Sequence, residues 1–291
     1  KTARAAASQL GAAEVYRVSR SGRDGAVTYR QVAEEHRDAA CIINTTPCGM
    51  YPDLGGCPVE LDGFPRLEGV VDAVYNPLRT DLVLNAQRRG IPAEGGLYML
   101  AAQAAYASAL FRGCEATAGD IELAYRTVLR QMENIVLIGM PTSGKTTVGQ
   151  LLSQRTGKTF MDTDAMVEQA VGMTIPAYFA AEGESAFRQR EQEAVAAAAG
   201  AGGRVIATGG GVILREENLR ALRRSGRLVF LDRSLDKLTA AADRPLSADT
   251  DALRCRYAER YDIYCAAADL RVDGDGTPEE TAAQIEKEWT T

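Results

Sequence analysis

A short run of residues, Gly139-Met140-Pro141-Thr142-Ser143-Gly144-Lys145-Thr146, carries the densest chemistry in the chain. It fits G-x-x-x-x-G-K-[ST], in which glycines let backbone N–H groups converge on phosphate oxygens. Lys145 would reach the β- and γ-phosphates, and the Thr146 hydroxyl would ligate Mg2+. Gly139, Thr142, Ser143, Gly144, Lys145, Thr146 and Thr147 are thus candidate nucleotide contacts. The context supports the motif. An apolar strand is expected over 134–138. A helix follows, with Val148, Leu151 and Leu152 on one face and Gly157 closing it, and its N-terminus adds a favourable field for anions.

A strand over 158–161 delivers Asp162-Thr163-Asp164 at its C-terminal end, the edge of an open α/β sheet where ligands bind. Two carboxylates two residues apart on extended chain point the same way, so one can serve a metal and the other a substrate. The competing reading is that Asp164 caps a helix N-terminus. Phe187-Arg188 and Glu191 lie on an expected helix. Thr208-Gly209-Gly210-Gly211 follows a strand over 204–207, and three glycines there suggest close backbone approach to a ligand. Arg244-Pro245-Leu246 and Arg260-Tyr261-x-x-Tyr264 come later. Each arginine alone could be a solvated surface group. The single histidine, His36, excludes a two-His metal site and argues against Ser-His-Asp machinery.

In order and spacing, this set resembles the shikimate kinases, from residue 134 to the C-terminus. The resemblance implies an adenylate-kinase-like P-loop kinase fold with a five-stranded parallel sheet. It implies that ATP is the donor and the 3-hydroxyl of shikimate the acceptor. Asp162 and Thr146 would hold Mg2+, and Asp164 would orient the acceptor hydroxyl and act as base. Arg188 and Arg260 would grip the substrate carboxylate, a task suited to a planar guanidinium fork. Gly209, Gly210 and Gly211 would line the substrate pocket. Arg244 would come from a lid and, with Lys145, neutralise charge on the transferring phosphoryl group. One departure is Ser247, where the family's Arg-Pro-Leu-Leu has its second leucine.

The elements before Met132 read as alternating strands and helices, the pattern of a doubly wound parallel sheet. The expected elements are a helix over 1–11, a strand over 14–19, a helix over 27–40, strands over 39–44 and 69–73, a helix over 80–89, and a helix from Gly95-Gly96 through 110. A helix over 121–133 leads to the P-loop strand. Three strings stand at strand ends or helix starts: Asn44-Thr45-Thr46-Pro47, Asp72-x-x-Tyr75-Asn76-Pro77-Leu78-x-Thr80, and Gly95-Gly96-Leu97-x-Met99-Leu100-x-x-Gln103. Together they resemble the nucleotide-binding domain of shikimate dehydrogenases. The resemblance places Tyr75 and Gln103 at shikimate and Asn44, Thr45 and Met99 near a nicotinamide. Ser19, Arg20, Ser21 and Arg23 sit where a Rossmann fold reads the ribose, and basic residues there suit the 2′-phosphate of NADP.

No G-x-G-x-x-G occurs before Met132. The expectation is a truncated Rossmann-like domain over 1–131, vestigial here, followed by a kinase domain over 132–291. The whole would be the C-terminal part of a dehydrogenase–kinase fusion, with NADP serving only the complete parent. The alternative is a P-loop kinase for another small hydroxy acid, with the first half a non-catalytic interaction module. The charge split is −1 before and −5 after Met132, within a total of −6, so neither half offers a nucleic-acid surface. No apolar run approaches the ~18 residues of a membrane span. The six cysteines show no metal-ligand spacing and read as free thiols in a reducing cytoplasm.

Overall fold

The computed structural model describes residues 14–238 and 250–290, with residues 9 and 11 besides. Residues 1–8 and 10 of the expected first helix, and the Arg244-Pro245-Leu246-Ser247 segment, lie outside those residues. By compactness the chain divides into two units, Lys1–Tyr125 and Arg126–Thr291.

In the first unit, β1 (Cys41–Asn44), β2 (Gly69–Asp72) and β3 (Ala93–Glu94) form a parallel sheet in that order. Val70, Leu82, Ala86, Leu61, Phe64 and Leu67 make its core, with Val32 of α1 (Tyr29–Glu35). Helix α2 (Asp81–Arg88) is capped by Thr80, whose hydroxyl accepts from the Val83 N–H at 3.4 Å. Helix α3 (Leu97–Arg112) starts after Gly95-Gly96. A Cβ on Gly95 would stand 2.5 Å from the Leu78 carbonyl oxygen, so the helix can begin there only without side chains.

Two sequence expectations fail in this unit. The strand over 14–19 is reduced to a single bridge between Val18 and Val27. Its β-formers Val15 and Tyr16 are exposed, and β-propensity needs a surface to pack on. The helix over 27–40 shrinks to α1. A reciprocal capping box between Thr28 and Gln31 starts it, but only Val32 anchors it to the core, and it ends at His36.

Helix α4 (Ala118–Met132) crosses the division between the units. In the second unit a five-stranded parallel sheet has β4 (Asn134–Ile138) at its centre. The others are β5 (Thr159–Asp162), β6 (Arg204–Ala207), β7 (Gly226–Asp232) and β8 (Leu270–Asp273), and the order is β5-β6-β4-β7-β8. All five β4 residues are buried. Val136 and Ile138 join one core cluster, with Ile206 and Phe230. Ile135 and Leu137 join the other, with Val205 and Val229. The alternation shows a sheet covered on both faces, which is why β4 reads as an unbroken apolar run.

The covering helices are α5 (Lys145–Thr156), α6 (Thr163–Val171), α7 (Ile175–Ala199), α8 (Glu216–Ser225), α9 (Thr250–Ala267) and α10 (Pro278–Thr290). Among the described residues no helix is long and apolar enough to cross a membrane. The five-stranded parallel sheet and its P-loop agree with the expected kinase fold.

Asn134 ties the start of β4 to the turn before β6. Its amide donates to the Ala201 carbonyl at 3.0 Å and accepts from the Arg204 N–H at 2.8 Å, in a site closed to water. Asn134→Ala removes both bonds and leaves buried backbone groups unpaired, so it should destabilise the chain by about 2 kcal/mol. Urea unfolding of the two proteins measures this directly.

Candidate active site

The loop between β4 and α5 has the backbone that its sequence requires. Gly139 and Gly144 take φ values of 151° and 92°, and Thr142, a non-glycine, takes 67°. At Thr142 the left-handed conformation costs on the order of 1 kcal/mol, and such strain gathers at ligand clamps. Buried Lys145 folds its ammonium back onto the loop, donating to the carbonyls of Gly139 at 3.0 Å and Met140 at 2.7 Å. Thr146 and Thr147 lie exposed in the first turn of α5.

Asp162 ends β5 and faces two ways. Its Oδ1 accepts from the N–H groups of Asp164 at 3.0 Å and Ala165 at 3.2 Å, and its Oδ2 accepts from the Thr146 hydroxyl at 2.8 Å. Asp162 is therefore the N-cap of α6, not Asp164 as the competing sequence reading had it. Asp164 stands in the first helical turn because strand β5 runs one residue further than expected. The Thr146–Asp162 oxygen pair suits a hard cation that keeps most of its water, as Mg2+ does. Among the described residues there is no cluster of three or more His, Cys, Asp or Glu able to cage a metal.

Gly209, Gly210 and Gly211 form the hub. A Cβ on Gly209 would lie 2.5 Å from Asp164 Oδ1 and 3.3 Å from Glu191 Oε1. On Gly210 it would lie 2.8 Å from Pro141 of the P-loop, and on Gly211 it would overlap the Arg188 guanidinium. The close approach foreseen at these glycines is thus made by the protein's own side chains. Thr163 accepts the Gly209 N–H at 3.1 Å. The Gly210 carbonyl accepts from Tyr264 at 2.6 Å and Arg260 at 3.2 Å. Burial pushes the Tyr264 phenol well above the ordinary tyrosine range.

Arg188 donates from Nη1 to both oxygens of Glu191, at 3.1 and 2.9 Å. The Glu191 side chain is 2% exposed, and removing the partner of a buried ion is costly. On the open side Arg188 meets Glu184 only at 3.4 Å. Arg215 braces the same turn, approaching the Arg188 carbonyl at 3.4 Å and Gln192 at 3.2 Å. The roles of Thr163 and Arg215 went unread in the sequence. Thr163 sits inside the Asp162-Thr163-Asp164 string but was given no role there, Arg215 stands in no motif, and both act through contacts distant along the chain.

In the first unit, Asn44 is buried, donating to Asp72 Oδ1 at 2.9 Å and accepting from the Thr46 N–H at 3.0 Å. Asp72 Oδ2 takes the Thr80 hydroxyl at 2.6 Å. Thr45, Tyr75, Met99 and Gln103 are exposed, as are Arg20, Ser21 and Arg23. Ser19 accepts the Gly22 N–H at 3.1 Å and shapes a turn. His36 packs its ring 3.8 Å from Tyr16. The six cysteines are free thiols.

A P-loop at the centre of a parallel sheet, with carboxylates and arginines gathered on the same edge, defines a small-molecule phosphotransferase. Residues 141–290 match the family model described as shikimate kinase, and the chain belongs to that family. The shikimate kinase of Symbiobacterium thermophilum is 47% identical over 151 residues, 49% of this chain and 87% of that protein. That of Trichormus variabilis is 42% identical over 166 residues, 54% and 91% of the two chains. Among solved structures, a shikimate kinase from Acinetobacter baumannii in complex with shikimate is 30% identical. It aligns with 56% of this chain and 96% of its own at a TM-score of 0.53. A chorismate mutase/shikimate 5-dehydrogenase fusion protein from Clostridium acetobutylicum aligns with 44% of this chain at 27% identity, with a TM-score of only 0.40.

Gly209→Ala should keep the fold and lower phosphoryl transfer roughly hundredfold, the cost of displacing a reacting group by about 1 Å. Turnover measured beside circular dichroism separates the two effects.

Proposed function

We propose that the chain transfers the γ-phosphoryl group of ATP to the 3-hydroxyl of shikimate, and that residues 132–291 form the catalytic domain. The observation that carries this reading is the Gly209–Gly211 hub, which packs Asp164, Arg188 and the P-loop residue Pro141 against one backbone turn. Phosphoryl transfer asks for little else than position and positive charge.

Glu191 fixes one nitrogen of Arg188, and the rest of the fork meets only the long, exposed Glu184 pair. Such a pair is worth little, so a substrate carboxylate displaces it at small cost. Arg260, hydrogen-bonded to Gly210, supplies the second guanidinium. A six-membered ring held by its carboxylate presents a hydroxyl to Asp164, which accepts that proton as the hydroxyl oxygen attacks. Lys145 and Arg244 balance charge on the phosphoryl group. Thr146 and Asp162 would hold Mg2+, which when bound supplies charge neutralisation across the donor phosphates.

The first half fits the nucleotide-side portion of a shikimate dehydrogenase, and the parent would then be a bifunctional enzyme of adjacent steps. The residue strings around Asn44, Asp72 and Gly95 support this reading. In these strings Asn44, Asp72 and Thr80 are tied together, and Tyr75 and Gln103 are exposed.

Asp164→Asn should abolish shikimate-dependent ADP release while ATP still binds. Near-normal turnover in that variant would remove the base assignment. ADP release with gluconate rather than shikimate would point to another hydroxy acid. For the first half, calorimetry of the whole chain with NADP should show weak or no binding. Ser19, Arg20, Ser21 and Arg23 are read as ribose-side residues, and residues 1–131 contain no G-x-G-x-x-G to hold the pyrophosphate. Micromolar affinity would overturn this.

A further inference from the structure

A second cation stands beside the P-loop. Arg233 is the first residue after β7, and the neighbouring strand β4 runs directly into the loop. Arg233 Nη1 lies 3.8 Å from where a Cβ on Gly144 would be, and Gly144 is the residue that opens α5. On its other side, the Arg233 backbone and Cβ stand 3.4 Å from where a Cβ on Gly274 would be, in the turn after β8. The side chain is therefore wedged between the P-loop and that turn.

Its surroundings do not satisfy it. Arg233 Nε is shut off from water and has no hydrogen-bond partner among the described residues. The carboxylate that feels its charge is Asp275, but Asp275 is engaged elsewhere. Its Oδ1 takes the Ser234 N–H at 2.8 Å, and its backbone carbonyl takes the Lys237 ammonium at 2.9 Å. Meanwhile the guanidinium faces the positive end of the α5 dipole, with Lys145 next in sequence to Gly144. Both costs, a buried donor without an acceptor and a cation at a helix N-terminus, are relieved by one kind of group. That group is an anion with several acceptor oxygens, seated on the first N–H groups of α5.

We propose that Arg233 is a nucleotide-binding residue, donating to the α- and β-phosphate oxygens of the nucleoside triphosphate beside Gly144. This deepens the kinase reading and rests on it. Lys145 reaches the β- and γ-phosphates, so Arg233 takes the other flank of the loop. The phosphates it holds are also those of the diphosphate product. It therefore binds donor and product alike, and such uniform binding sets KM and leaves kcat unchanged.

The test compares wild type, Arg233→Gln and Arg233→Lys by calorimetry with ADP and Mg2+ and by steady-state kinetics. Arg233→Gln keeps most of the stem and removes the charge. It should weaken ADP binding about tenfold, the loss expected of a charge-assisted hydrogen bond. The KM for ATP should rise by a similar factor, with kcat and the acceptor KM unchanged. Arg233→Lys should recover part of the affinity through its point charge. Unchanged ADP affinity in Arg233→Gln overturns the proposal. So does a fall in kcat at constant ATP KM, or a rise in the acceptor KM. A wild-type chain that binds no ADP removes the kinase reading and this assignment together. ADP binding without shikimate-dependent turnover removes only the choice of acceptor.

Discussion

The second unit is organised around the absence of three side chains. Gly209, Gly210 and Gly211 leave a backbone surface on which Asp164, Pro141 and Arg188 rest closer than a Cβ would allow, with Glu191 beside them. These residues come from three segments: Asp164 from α6, Arg188 and Glu191 from α7, and Pro141 from the P-loop. The backbone turn is itself held from outside, by Thr163 on the Gly209 N–H and by Tyr264 and Arg260 on the Gly210 carbonyl. Removing the Cβ atoms gains proximity, and the hydrogen bonds restore the rigidity that glycine would otherwise lose. Distances between the groups are thus set by main chain, the least adjustable part of the site.

Charge follows from the same geometry. A guanidinium near a substrate pocket needs a counter-charge that fixes its plane without consuming all its donors. Glu191 does this from one side, three residues along α7 from Arg188, and its burial keeps the pair from exchanging with water. The kink at Gly183, where φ is 80°, separates the first part of the helix from the stretch that carries both residues.

The P-loop, the Asp162-Thr163-Asp164 string and the glycine run were legible in the sequence because each is a local pattern with a backbone meaning. So were β4 and β6, which are apolar runs bounded by turns. What was not legible depended on partners far along the chain. The strand over 14–19 had the right residue types but no surface to pack on. Whether Asp162 or Asp164 capped α6 turned on a one-residue extension of β5, below what propensity resolves. Arg233 belongs to no motif. Its place beside Gly144 arises only because β7 pairs with β4 residue for residue, Ile138 opposite Phe230.

Strand pairing also explains why similar polar residues at strand ends behave differently in the two units. In the first, Asn44 and Asp72 end β1 and β2 and are direct register partners, so they bond each other and the pair seals its own edge. In the second, Asp162 ends β5 opposite Ala207, which offers no polar side chain. Its carboxylate turns instead to the first turn of α6 and to Thr146 on the P-loop. A carboxylate paired within the sheet becomes structure, whereas one facing an apolar neighbour must look outward over the edge. Ala207 is therefore part of what aims Asp162 at the phosphate loop, although it carries no chemistry of its own.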